Sequence, residues 1–551
     1  MRLVLSVLVC IFVMLLAFRP LAVDTVIKNI SSRTLGLTTL FHAEPRNFSN
    51  RPVGELLGSA PDFAQCKQAD HDTYRQIFIK DDQESLDYTF GLLMNIVRRP
   101  CLGHLVKKIE YMHRPQNHED YPILPYQREL ATDDMHLLKR AVENAGFQGG
   151  KEHRIISMLM QNKLSRDSER TTFGNCWAMD SDMLPTFVTQ AIAAIIVSLS
   201  PNLETMAMTQ IFRRHFELEQ GKKWGKEFPL VEVFRYANSR PEGTHFLQKL
   251  RDVYLINHAA HADSRYFADT DLIACLELFN KLPSIESFEI DVLESDGDHG
   301  KQTCEEKSSN ISKIKINHSL LNSNYLLCVM KSIKTLEELQ FTTGGRATLD
   351  GTPFFSPKAF LKGLAEHTQT LKTLDLDTEE MTIGYPGQKP SCSYVNWGEY
   401  GGPGDYEFDA DDELDENDPE LAMYRYITSI WDRDVTLKEF VALESLSISI
   451  GFLVYLAQGV EMDDSRRASV MLVDCLPDNL RSLHIRGYQK GESKLYDEQV
   501  NALMARFESG SLRLEEIKGV HELIPNGRQV ENPDNNEHLL WSLEDLGYPE
   551  W

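Results

Sequence analysis

Along most of this chain, apolar residues recur three apart and then two apart. That rhythm fits neither a helix face, spaced three and four, nor a plain strand, spaced two throughout. Clear copies are Leu203, Met206, Met208 in PNLETMAM; Leu250, Val253, Leu255 in QKLRDVYL; and Ile285, Phe288, Ile290 in PSIESFEI. Ile311, Ile314, Ile316; Leu336, Leu339, Phe341; and Leu371, Leu374, Leu376 continue the series. Leu443, Leu446, Ile448, then Leu480, Leu483, Ile485, and a degenerate Leu514 and Ile517 close it, while an outlying Val106, Ile109, Tyr111 precedes it. From Leu203 the copies start at intervals of 47, 35, 26, 25, 35, 72, 37 and 34 residues, within the range of stacked supersecondary repeats.

The stretches between copies, such as LIACLELFNKL, YLLCVMKSI, FLKGLAEHTQ, RASVMLVDCL and QVNALMARFESG, carry helical apolar spacing. Each repeat is therefore expected to be a helix, a turn and a short strand. Its first apolar residue closes the turn, and the next two lie on one strand face, towards the core. A single unit of this kind cannot bury its apolar face alone. Stacking on the next copy does so, giving a curved parallel sheet with helices outside.

On the phrases FGLLMNIVRRPCLGHLVKKIEYM, SLSPNLETMAM, FLQKLRDVYL, LFNKLPSIESFEI and CLPDNLRSLHI, the chain resembles the irregular leucine-rich-repeat proteins common in fungi, many of which carry an N-terminal F-box. The resemblance spans about residues 85 to 525. It implies an α/β leucine-rich-repeat solenoid, with the sheet on the concave face and helices on the convex face, whose role is non-catalytic protein binding. Where present, an F-box docks such a chain on a ubiquitin-ligase scaffold, but the first 80 residues hold no matching LP-x-EI-type opening. A ligase substrate receptor with a lost F-box is thus the alternative reading, and an enzyme with an unrecognised site a third.

The expected organisation is a hydrophobic signal peptide or anchor at 1–22, short helices and loops at 23–84, the solenoid at 85–525 with an acidic disordered insertion at 383–420, and a C-terminal tail or cap at 526–551. The first rests on the uncharged run Leu3 to Phe18 between Arg2 and Arg19, which is short for a membrane span of about 20 residues. It places the protein in the secretory pathway, or on a membrane through residues 1–22 if uncleaved; a mistaken start would leave it cytoplasmic or nuclear.

Charge changes this picture in two ways. The formal net charge is −25 with no basic cluster, so no nucleic-acid partner is expected. Residues 404–420 hold ten acids and no Lys or Arg. Asp409, Asp411, Glu413, Asp415, Asn417 and Glu420 fall at calcium-loop spacing, but Leu414 occupies the glycine position, so a solvated acidic loop without metal is expected.

Nine scattered cysteines form no CxxC pair. Cys275, Cys328 and Cys475 sit in apolar helical stretches and are expected to be free thiols, a usage that fits a reducing compartment. Sequons at Asn29, Asn47, Asn310 and Asn317 leave the compartment open.

No GxSxG elbow, HExxH, Walker A loop or glycine fingerprint is present, so no catalytic residue and no cofactor are expected. His258, His261 and Asp263 in HAAHAD read as a hydrophilic loop. The candidate binding residues are those between and after the core positions of the strands: Tyr254, Glu289, Lys315, Asn317, Gln340, Asp375, Asp377, Ser447, His484 and Arg486. Continuous sheet faces are where solenoids hold partner proteins. On this reading, charge reversal at Asp375 and Asp377 together weakens partner capture and leaves thermal stability nearly unchanged.

Overall fold

The computed structural model describes residues 68–112, 127–162, 187–211, 228–257, 268–294, 305–321, 323–343, 357–378, 435–458 and 470–526. The expected segment 1–22, the insertion 383–420, the calcium-spaced acids, the HAAHAD loop and all but one residue of the tail lie outside them.

Each three-then-two copy ends in a strand. In chain order these are β1 (Gln76–Lys80), β2 (Lys108–Met112), β3 (Thr205–Thr209), β4 (Asp252–Ile256), β5 (Ala268–Asp269), β6 (Ser287–Asp291), β7 (Leu293–Glu294), β8 (Lys313–Asn317), β9 (Glu338–Thr342), β10 (Thr373–Asp377), β11 (Ser445–Ser449), β12 (Ser482–Arg486) and β13 (Glu516–Lys518). All but β5 and β7 join one eleven-stranded sheet whose spatial order is the sequence order. It is parallel at every pairing and does not close on itself. β5 and β7 pair separately as a short parallel ribbon.

Register is exact from strand to strand. Leu374 of β10 lies opposite Leu339 of β9 and Leu446 of β11, and the same core position aligns at every other junction. Both core positions of each strand up to β12 are at most 2% exposed, and the turn residue that precedes them is at most 8% exposed. Helices such as Gln83–Arg98, Pro229–Ser239, Ser323–Ser332 and Lys494–Glu508 connect successive strands and pack against these positions in one apolar cluster. Asp82 caps the first of these, its carboxylate accepting the Ser85 N–H at 2.8 Å, and so satisfies an orphan donor of the first turn.

One backbone motif repeats at all ten junctions of the sheet. The carbonyl of the residue after the turn position accepts two successive N–H groups at the start of the next strand, as Glu337 does from Lys372 and Thr373 at 2.8 and 3.1 Å. This column reads Lys107, Glu204, Arg251, Glu286, Ser312, Glu337, Lys372, Glu444, Arg481 and Glu515 after Arg75. Neighbours of opposite sign pair along it: Lys107 with Glu204, Arg251 with Glu286 at 2.9 Å, and Lys372 with Glu337 at 2.9 Å. Where Ser312 interrupts the alternation, Lys313 reaches Glu286 at 3.6 Å.

The sheet begins ahead of residue 85. β1 pairs in register with β2, so the stretch expected to hold only short helices and loops supplies a strand. Its spacing is Tyr74, Ile77, Ile79, the same three-then-two rhythm with an aromatic at the turn position, and all three are buried. A second difference lies between β2 and β3. Three described helices, Thr132–Asn144, Lys151–Leu159 and Val188–Ser198, occupy that connection, and every residue of the last is buried. A helix apolar all round needs cover on all sides. It packs against β1 and against helices 83–98, 132–144, 151–159 and 229–239.

Gly103, in the turn Pro100–Leu105, lets that turn approach the end of the same helix, because a Cβ there would stand 2.1 Å from the Leu199 carbonyl oxygen. No helix among the described residues is long and apolar enough to cross a membrane.

Candidate functional site

The residue between the two core positions of each strand points to the sheet face turned away from the helices. Register aligns these residues into a row that changes character along the sheet. At its start, Phe78, Ala207 and Tyr254, with Met112 and Ile256 from the strand ends, form a second apolar cluster separate from the main core. From β6 onward the row is Glu289, Lys315, Gln340, Asp375, Ser447, His484 and Lys518, all partly or fully exposed.

The expected binding residues thus divide. Glu289, Lys315, Gln340, Asp375, Ser447, His484 and Arg486 share the outer face and reach solvent in part. Tyr254, Asn317 and Asp377 do not: they are 3%, 5% and 3% exposed. Tyr254 belongs to the apolar cluster, and its hydroxyl donates to Asp291 Oδ2 at 2.5 Å. Asn317 and Asp377 end their strands, where a line of polar residues is buried. Asn317 Oδ1 accepts from Thr342 Oγ1 at 2.5 Å and from Gln340 Nε2 at 3.4 Å, so its sequon is closed to modification in the folded chain.

The exposed row is held by charge pairs. Lys315 Nζ lies 3.1 Å from Glu289 Oε1 and 3.7 Å from Glu338 Oε1. Burial pushes this ammonium down, but the two carboxylates together outweigh it and hold it above its ordinary range. Across β10, β11 and β12, Arg486 donates from Nη2 to both carboxylate oxygens of Asp375 at 2.9 and 3.1 Å, and from Nε to Ser447 Oγ at 3.1 Å. This planar fork ties three strands together on one face. It also corrects the expectation that reversing Asp375 and Asp377 leaves thermal stability nearly unchanged. Asp375→Lys alone opposes Arg486 with a second cation at a half-buried site, and a loss of about 1–3 kcal/mol is expected, measurable as a lower denaturant midpoint.

At the end of the row, Ser482 Oγ and Glu516 Oε2 each lie 3.3 Å from His484 Nε2. Hydrogen bonds from Lys518 and His484 hold the Glu516 carboxyl at about 2. Serine, histidine and glutamate are the residue types of a hydrolytic triad, but both partners meet the same ring nitrogen. Relay through the ring needs the acid on the other nitrogen, so this cluster is an electrostatic clasp.

Sequence reading missed Glu338, Ser482 and Glu516. They occupy the position just before the first core residue of their strands, and their signal is the repeat phase itself, two residues ahead of the outward positions between the core residues.

The thiols also differ from expectation. Cys275 is buried and free, and Cys475 is half-buried and free, but Cys328 is disulfide-bonded. Among the described residues no cluster of three or more His, Cys, Asp or Glu side chains is placed to hold a metal ion. No protein-family model matches this chain, and no curated protein matches it.

Proposed function

We propose that this chain is a leucine-rich-repeat solenoid that holds a partner protein on the sheet face turned away from the helices, across strands β6 to β12. The observation that carries the reading is the zero-shift register of eleven parallel strands. From β6 to β12 it aligns one solvent-reaching side chain per strand in a continuous row and backs that row with a buried core. Such a face is rigid before binding, so little ordering cost is added when a partner docks. Its mixture of Glu289, Lys315, Asp375 and Arg486 favours a partner with its own alternating charges, and paired charges of this kind act more on specificity than on affinity.

The secretory pathway is the compartment this reading favours, because Cys328 is disulfide-bonded and such bonds persist in oxidising surroundings. The apolar run Leu3 to Phe18 points the same way.

A photo-crosslinking residue at Gln340 tests the binding face, since that side chain is half-exposed and among the described residues makes one long hydrogen bond, 3.4 Å to Asn317. Full-length protein from a eukaryotic host is expected to form a discrete adduct from position 340 and none from Lys139, an exposed residue on helix Thr132–Asn144. Adduct formation from Lys139 alone sinks the proposal. An adduct that proves to be the ubiquitin-ligase scaffold subunit would favour the receptor reading instead.

A further inference from the structure

β13 is the last strand in the sheet order and pairs with β12 alone among the described residues. Ile517 holds its core position, opposite Leu483 in register. Leu483 has a strand on either side and is 0% exposed, whereas Ile517 is only half-buried. The helix Lys494–Glu508 that leads into β13 is under-covered in the same way. It buries three of its fifteen residues and leaves Met504 and Phe507 half-buried. Leu512 and Val520 are half-buried too, and Leu523 is 48% exposed. In a stack each repeat covers the apolar side of the one before it, so a terminal repeat without a cover leaves apolar surface in water.

We infer that this open end is the docking surface for the chain's own C-terminal segment, residues 536–547, laid across it as an amphipathic helix. The inference does not depend on the binding face proposed above. Where the described chain stops carries the first part of the argument. The Ile524 carbonyl accepts the Gly487 N–H at 2.8 Å, and Asn526 is 8% exposed, so residue 526 is tied down beside the last two strands and the remainder, 527–551, departs from there. The link from Asn526 to Leu539 extends to roughly 40 Å. The helix Lys494–Glu508 is only about 22 Å long, so the segment reaches every part of the open end.

The segment's own pattern carries the second part. Leu539, Leu543 and Leu546 recur four and then three apart, Asn536 stands ahead of them, and Gly547 and Pro549 follow. That is the order of a helix cap, one apolar stripe and a glycine stop. Trp541 and Glu544 fall on the opposite side of such a helix. Other occupants are disfavoured. β13 is three residues long and carries Glu516 and Lys518, and a short, charged edge resists pairing with a strand of another chain. A tethered segment is also present at roughly millimolar effective concentration, so it outcompetes a second copy at micromolar protein.

The test is amide hydrogen exchange of the full chain, read by mass spectrometry beside the full-length double variant Leu539→Asp, Leu543→Asp. In the variant, amides of residues 494–518 are expected to exchange at least about tenfold faster, a factor smaller than the burial of one leucine provides. Strands β6 to β9 should keep their rates. Trp541→Ser, off the apolar stripe, is expected to leave 494–518 unchanged. A synthetic peptide of residues 534–551 should restore slow exchange when added to the double variant, and should not bind the parent, whose site is already filled. The parent's rates are expected to be constant over a roughly hundredfold range of protein concentration, as an intramolecular contact requires.

Unchanged exchange of 494–518 in the double variant overturns the proposal, and equal acceleration in Trp541→Ser overturns the assigned stripe. Protection that rises with protein concentration gives the surface to a second copy and overturns the assigned occupant. Should acceleration in the double variant spread to β6 to β9, the peptide decides: rates that return support the segment as cover, and rates that stay fast remove it.

Discussion

Replacing Phe341 with Ala is expected to lower unfolding free energy by about 3–5 kcal/mol. Phe341 lies on β9, is fully buried, and faces Ile316 and Leu376 on the two adjoining strands. Neither neighbour moves easily into the vacated space, because both are fixed by backbone pairing on the far side as well. The cavity therefore stays open, and its cost adds to the lost transfer energy. Ile517→Ala is the contrasting case: Ile517 sits on the last strand, half-buried and paired on one side only among the described residues. A loss of roughly 1–2 kcal/mol is expected there. Equal losses in urea titrations of the two variants would show that the stacked register does not concentrate stability in the middle of the sheet.

Acidification is the second large effect. His367 is 2% exposed; its Nε2 donates to the Met330 carbonyl at 3.0 Å, while Nδ1 accepts the Leu336 N–H at 3.4 Å. The ring must be neutral to accept, and burial pushes its pKa below the ordinary 6.5. Burial depresses His104 and His245 as well, and Lys249 adds to the depression of His104.

With the folded pKa depressed, the unfolded chain binds more protons than the folded chain below pH 6.5. Stability is therefore complete above that value and falls as pH drops from it towards the folded pKa values. Each histidine contributes up to about 1.4 kcal/mol per pH unit inside its own window. Urea midpoints at pH 7.5 and 5.5 measure the loss, and His367→Leu should flatten it. A pH slope identical in that variant would mean His367 titrates normally. Protonation would also set a second N–H against that of Leu336, so the turn ahead of β9 is where loosening should appear first in amide exchange.

The fold was legible in the sequence wherever leucine, isoleucine or valine held the turn position. Tyr74 hid the first strand because an aromatic with a hydroxyl did not register as the closing residue, although it is buried like its aliphatic counterparts. The helices between β2 and β3 were not foreseen because their apolar faces cover other helices as well as the sheet, and periodicity does not tell those two partners apart.

The binding face was legible in its direction but not in its depth. Alternation places Tyr254 on the outer face correctly. Its burial follows from Ala207, Met112 and Ile256 beside it, a neighbourhood that becomes visible only once strands distant in sequence are set in register. Asn317 and Asp377 fall at strand ends, where the period-two rule lapses as the chain turns away.

The charged column at the strand entrances gives the stack a parity. From Lys107 to Glu515 the signs alternate, with Ser312 standing where a cation would fall. Excising the single repeat that carries Lys372 would set Glu337 against Glu444, and excising the one that carries Glu444 would set Lys372 against Arg481. Removing both together would return Glu337 to Arg481, an opposite pair. Repeats in this chain are therefore better counted in twos: gain or loss of an even number keeps the seam matched, and an odd number creates a fault line of like charge.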